Sequence, residues 1–180
     1  MGVRSVAEAS AMKLLIPADE IRHKIEEVAS KLDVVYAGSE LTIVMVMKGA
    51  LCLTADLIRA LQIPCRIEWV EAKSYGSRGT ERGALSIAGL ETCLVQGKHI
   101  LLVDDIYDSG YTLHTIKQRL EEKQPASIRS LVLLSKRISR DISYEPDYVL
   151  FSIDNHFVVG YGLDYKELYR GLSGVYAINN

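Results

Sequence analysis

The chain has 180 residues, 48% of them apolar and 24% charged, with a formal net charge of -2. That length supports a sizeable core, the near-neutral balance offers no extended basic face for nucleic acid, and no apolar run approaches the ~20 residues that span a membrane. Cys52, Cys65 and Cys93 lack metal-ligand spacing and read as reduced, mostly buried thiols of a cytoplasmic protein.

Residues 1–11 carry neither the basic-then-apolar pattern nor the cleavage site of a signal peptide. They are expected to form a flexible extension ahead of a single domain over 12–180. Ile21, Ile25, Val28, Ala29 and Leu32 recur at helical spacing, which predicts a helix from Asp19, the expected N-cap, to Leu32. Leu41–Met47 is an apolar run without alternation, as in a parallel strand buried on both faces. A helix is predicted over 50–61, and then a strand in which Cys65, Ile67 and Trp69 alternate with polar residues. The segment GSRGTERG that follows Ser74-Tyr75 has loop composition. Further strands are predicted over 84–88, 99–103, 129–134 and 148–153, with a helix from Ser109–Gly110 to about Lys123. Alternating strands and helices predict an α/β domain around a central, mainly parallel sheet.

The most informative segment is HILLVDDIYDSGYTLHTI, residues 99–116. A buried strand delivers Asp104 and Asp105, then Asp108, and Ser109-Gly110-Tyr111-Thr112 opens a helix. Ligands of open α/β sheets bind beyond the carboxyl ends of strands, and a helix N-terminus offers free N–H groups to a phosphate. Gly110 permits close backbone approach, and Ser109 and Thr112 add hydroxyls. Two carboxylates beside such a cradle would repel phosphate, but they suit ribose hydroxyls or hydrated magnesium. Capping by Asp108 or Ser109 alone is the simpler structural alternative, yet it leaves the adjacent pair at the end of a buried strand unexplained. His23, His99, His114 and His156 are dispersed without metal-ligand spacing.

VDDIYDSGYT resembles the 5-phosphoribosyl-1-pyrophosphate signature of phosphoribosyltransferases, most strongly the hypoxanthine-guanine branch. Other landmarks fall in the same order: Met47-Lys48-Gly49, Lys73-Ser74-Tyr75, Ser135-Lys136-Arg137, and Phe157 to Tyr165 with Arg170 downstream. The resemblance implies the type I phosphoribosyltransferase fold, with a small hood made by the chain ends and a flexible lid beginning at Ser74 and Tyr75. It further implies purine salvage: transfer of the phosphoribosyl group to N9 of a 6-oxopurine, giving IMP or GMP and pyrophosphate, with Mg2+ as cofactor and a homo-oligomeric dimer or tetramer.

By the same resemblance Asp108 is the general base, and residues 104–112 hold the ribose 5'-phosphate through Asp104, Asp105, Asp108, Ser109, Gly110, Tyr111 and Thr112. Lys48, Gly49 and Arg170 hold pyrophosphate, and the Met47–Lys48 peptide bond is cis. Lys136 reads the purine O6, Phe157 stacks on the base, and Ile106, Val158 and Asp164 complete the purine site. Asp104, Asp105 and Asp164 are the metal-site residues. Aspartate stands at 104 where glutamate is common in the family, serine at 109 for threonine, and glycine at 162 for alanine; none of these removes a reacting group. A non-catalytic nucleotide-sensing regulator on this scaffold is the alternative, disfavoured by Asp108 and Lys48-Gly49. A receiver domain fits worse, because its acidic pair closes the first strand.

Overall fold

The computed structural model describes residues 12–75 and 84–178. Along the chain run β1 (Met12–Ile16), α1 (Ala18–Val35), β2 (Leu41–Met47), α2 (Leu51–Ala60), β3 (Cys65–Tyr75), β4 (Ala84–Ala88), β5 (His99–Tyr107), α3 (Tyr111–Glu121), β6 (Ser127–Lys136), β7 (Tyr148–Ile153), β8 (Val158–Val159) and β9 (Val175–Ile178). Six strands form the central sheet in the order β4-β3-β2-β5-β6-β7. All its pairings are parallel except that of β4 with β3.

The two unbroken apolar runs became the two central strands for a simple reason: their successive side chains point to opposite faces, and both faces are covered. Ile43 and Leu101 pack with Ile21, Ile25, Leu53 and Leu57 of α1 and α2. Val44, Ile100 and Leu102 pack on the other face with Leu113, Ile116 and Leu120 of α3. Helix α1 begins a residue before the expected cap: Pro17 occupies the cap, its carbonyl accepts from the Ile21 amide, and Asp19 lies in the first turn.

In β3 the apolar alternation turns out to face outward, with Ile67 47% and Trp69 53% exposed. Of the cysteines only Cys93 is buried, while Cys52 and Cys65 are partly exposed. Ser74 and Tyr75 do not open a loop but end β3, paired with Leu85 and Ala84. The lid expected after them, and the extension expected over residues 1–11, lie outside the described residues.

A second, three-stranded antiparallel sheet, β1-β9-β8, joins the two ends of the chain, which is the hood the resemblance implies. Among the described residues no helix is long and apolar enough to cross a membrane.

Candidate active site

Strand order reverses between β2 and β5: the chain leaves β2 for β3 on one side, and β5 continues to β6 and β7 on the other. In open sheets this is where the carboxyl ends of strands part and leave a crevice. Here it is a cleft of about 750 Å3, lined by Lys48 and Gly49 from the end of β2, by residues 104–110 from the end of β5, and by Thr112, Asp164 and Arg170. Of the other sequence-predicted residues, Tyr111 is exposed at the start of α3, and Ser74 and Tyr75 belong to β3.

β5 continues past the carboxylates to Tyr107, held against β6 as far as Tyr107 beside Ser135. Asp104 and Asp105 are therefore strand residues. Asp104 is buried, and its Oδ1 accepts from the Asp105 amide at 2.9 Å. Burial, and then the neighbouring Asp105 charge, push the Asp104 carboxyl well above the usual carboxylate range; burial raises Asp105 as well. A carboxyl raised by folding stabilises the fold fully below its unfolded value of ~3.9, and that contribution is lost as pH rises through the folded value. Asp104→Asn should therefore raise the thermal midpoint at pH 7 by roughly 2–4 °C per kcal/mol relieved, with the gain fading as pH falls through the raised folded value and absent below pH ~4. Melting curves of ligand-free protein at the two pH values check this, alongside reduced turnover.

Gly110 caps α3 in the left-handed region at φ 80°. A Cβ there would meet the Tyr107 ring and hydroxyl within 2.7–2.9 Å, so only glycine brings the turn this close to the strand. The Ser109 hydroxyl accepts from the Tyr111 amide at 3.4 Å. Ser109, Gly110 and Thr112 line the cleft at the start of α3. Gly49 is dictated by space instead, since a Cβ on it would lie 1.7 Å from Asp105 Oδ2. The Met47–Lys48 peptide bond is cis, as the resemblance implies.

Two ion-paired groups flank the cleft. Lys136 Nζ donates to Asp108 Oδ2 at 2.8 Å, joining the expected O6 reader to the expected general base. On the other side Lys48 Nζ reaches Glu167 Oε2 at 3.0 Å, and one Arg170 nitrogen reaches Glu167 at 3.4 Å and Asp164 at 2.8 Å. Lys48 holds the Glu167 carboxyl below its ordinary range. Arg170 also donates to the Gly162 carbonyl at 2.8 Å, while its Nε is buried without a partner among the described residues. Phe157 is 47% exposed and meets Tyr165 edge-on at 5.6 Å. It is therefore not a core phenylalanine, and it is not among the residues that line the cleft. Val158 is buried in β8.

Among the described residues no group of three or more His, Cys, Asp and Glu side chains converges on a metal position. Magnesium does not require one: it takes one or two carboxylates and completes its shell with substrate oxygens and water. The adjacent, partly desolvated carboxylates of Asp104 and Asp105 fit that demand.

A relative from Streptococcus pneumoniae, a hypoxanthine-guanine phosphoribosyltransferase, is 34% identical over 165 residues, 92% of each chain. The model of the phosphoribosyl transferase domain matches residues 17–166. The chain belongs to the hypoxanthine-guanine phosphoribosyltransferase family. A Mycobacterium avium hypoxanthine-guanine phosphoribosyltransferase is 37% identical over 166 residues, covering 89% of this chain and 82% of that one. Among solved structures, the hypoxanthine phosphoribosyltransferase of Trypanosoma cruzi in complex with its product IMP superposes with a TM-score of 0.84 at 36% identity, covering 93% and 94% of the two chains.

Two charged residues of the cleft lining, Glu71 and Glu167, lie outside the residues that the sequence singles out. Glu71, in β3, bonds Lys73 at 2.9 Å. Glu167 was visible only as an i,i+3 neighbour of Arg170, and nothing in the chain signalled its contact with Lys48, 119 residues away.

Proposed function

We propose that the chain, acting as one domain from Met12 onward, transfers the 5-phosphoribosyl group from phosphoribosyl pyrophosphate to N9 of hypoxanthine or guanine. The observation that carries this is the Lys136–Asp108 contact of 2.8 Å beside the α3 phosphate cradle. The O6 and N7 of a 6-oxopurine lie on one edge as neighbouring polar atoms. An ammonium and a carboxylate in contact match that edge: Lys136, a donor only, selects an oxo group over the amino group of adenine, while Asp108 takes the proton that leaves N7 as N9 bonds to the sugar.

Lys48 and Arg170 would balance the charge of the departing pyrophosphate, with Gly49 leaving room for it. Ser109, Gly110, Tyr111 and Thr112 would hold the 5'-phosphate. Asp104 and Asp105 would hold the ribose diol and the magnesium ion, with Asp164 at a second ion, and the carboxylates would stabilise positive charge developing on the ribose. Magnesium supplies charge neutralisation on the pyrophosphate oxygens when bound. Phe157 would stack on the base, with Ile106 and Val158 bounding it, and a lid starting at Ser74 and Tyr75 would exclude water. Unpaired thiols fit a cytoplasmic location. The outward Ile67 and Trp69 of β3 fit burial in a homo-oligomer.

Calorimetric titration with nucleoside monophosphates tests the assignment. IMP and GMP should bind at least ~10-fold more tightly than AMP, a difference of one charge-assisted hydrogen bond. Lys136→Met should erase that preference. Equal affinity for AMP, or a preference for UMP, contradicts it, and nucleotide binding without turnover would favour the regulatory alternative.

A further inference from the structure

Arg140 lies in the coil between β6 and β7, outside every landmark of the sequence. Its side chain is only 10% exposed, and a weak ion pair, to Glu145 at 3.7 Å, accompanies it. Nε donates to the Asp108 carbonyl at 2.6 Å. One terminal nitrogen donates to the Tyr107 carbonyl at 3.1 Å, to Ser135 Oγ at 3.2 Å and to the Lys136 carbonyl. The guanidinium lies over the Tyr107 ring, 4.2 Å from its centroid.

The position of these bonds is informative. The ladder between β5 and β6 ends at Tyr107 beside Ser135, where β5 stops, while β6 runs one residue further with Lys136 paired to Ile153 of β7. The next residues are Asp108 and Lys136, whose side chains meet at 2.8 Å. No rung between β5 and β6 fixes their separation, because Asp108 lies beyond the end of β5 and Lys136 pairs only with β7. Arg140 binds both of their backbone carbonyls and so continues the cross-link one step past the β5–β6 ladder. A planar guanidinium with five donors can do this in fixed geometry, whereas a lysine cannot. The coil that carries Arg140 is itself held at Tyr144, whose carbonyl accepts from the Tyr107 hydroxyl and whose own hydroxyl bonds Ser130.

We propose that Arg140 is a positioning residue that sets the distance between Asp108 and Lys136, and through it the selection and reaction of the 6-oxopurine. This rests on the function proposed above. The phosphate cradle opens α3, which the core holds through Leu113, Ile116 and Leu120, so sugar-phosphate binding should depend on Arg140 less than base binding does.

Arg140→Ala and Arg140→Lys are compared with wild type by steady-state kinetics, by calorimetry with IMP and AMP, and by amide hydrogen exchange. Both variants are expected to fold. The alanine variant should raise the KM for hypoxanthine at least ~10-fold, lower kcat/KM about 100-fold, as misplacement near 1 Å does, and shrink the IMP-over-AMP affinity ratio. Its KM for phosphoribosyl pyrophosphate should stay within about threefold. Exchange should quicken at residues 107–109 and 136–140, lysine should be intermediate, and added methylguanidinium should restore part of the activity of the alanine variant.

A folded alanine variant with wild-type KM for hypoxanthine and an unchanged IMP-over-AMP ratio overturns the proposal, even if kcat falls, since that pattern reports lost active protein only. If wild type turns over no purine, the proposed function fails, and the exchange comparison still decides whether Arg140 holds the Asp108 segment to the end of β6. Should the alanine variant not fold, the lysine variant must show the same split between base and sugar substrates, or the proposal is wrong.

Discussion

Asp108→Asn is expected to lower kcat with hypoxanthine by about 10²–10⁴-fold, the usual worth of a positioned general base, while binding of phosphoribosyl pyrophosphate changes little. Lys136 stands 2.8 Å from this carboxylate, and an asparagine oxygen can still accept its hydrogen bond. The substitution thus removes basicity and one charge while leaving shape. The purine N7 proton then has no carboxylate to receive it as the bond at N9 forms. Single-turnover rates separate this from slow product release. A folded Asp108→Asn protein that binds the sugar substrate and keeps full turnover places the base elsewhere.

Gly49→Ala should be nearly as damaging, for a steric reason. The added methyl would lie 1.7 Å from Asp105 Oδ2 and 2.3 Å from its Cγ. Either Asp105 turns out of the cleft or the segment carrying Lys48 shifts, and both outcomes disturb the pyrophosphate and ribose sites together. A loss of at least ~100-fold in kcat/KM is expected from displacement of this size. The core between α2 and β2 is formed by other residues, such as Leu53 and Leu57, so thermal melting should still show a cooperative fold. Near-normal kcat/KM in Gly49→Ala would mean that the close approach of Gly49 to Asp105 has no functional consequence.

The central strands were legible because β2 and β5 are covered on both faces, which writes itself into the chain as uninterrupted apolar runs. The acidic end of β5 was harder. Charges at 104 and 105 look like the end of a strand, yet pairing with β6 carries the backbone to Tyr107. The outward face of β3 misleads in the opposite sense, since alternation gives the period of a strand but not which side meets the core. The hood strands left almost no signal: β8 is two residues long, and β1 gains its place by pairing with β9 from the far end of the chain. In the site, residues within one motif could be found together. Arg140 and Glu167 could not, because Asp108 lies 32 residues from Arg140 and Lys48 lies 119 from Glu167, and each reads locally as a solvated charge.

Initial rates of pyrophosphate release test the account most directly, with phosphoribosyl pyrophosphate and magnesium held constant and hypoxanthine, guanine, xanthine, adenine and uracil offered separately. Turnover with hypoxanthine or guanine and none above background with adenine or uracil is the predicted result. Equal rates with adenine, preference for uracil, or no turnover by folded protein that binds the sugar substrate would contradict it.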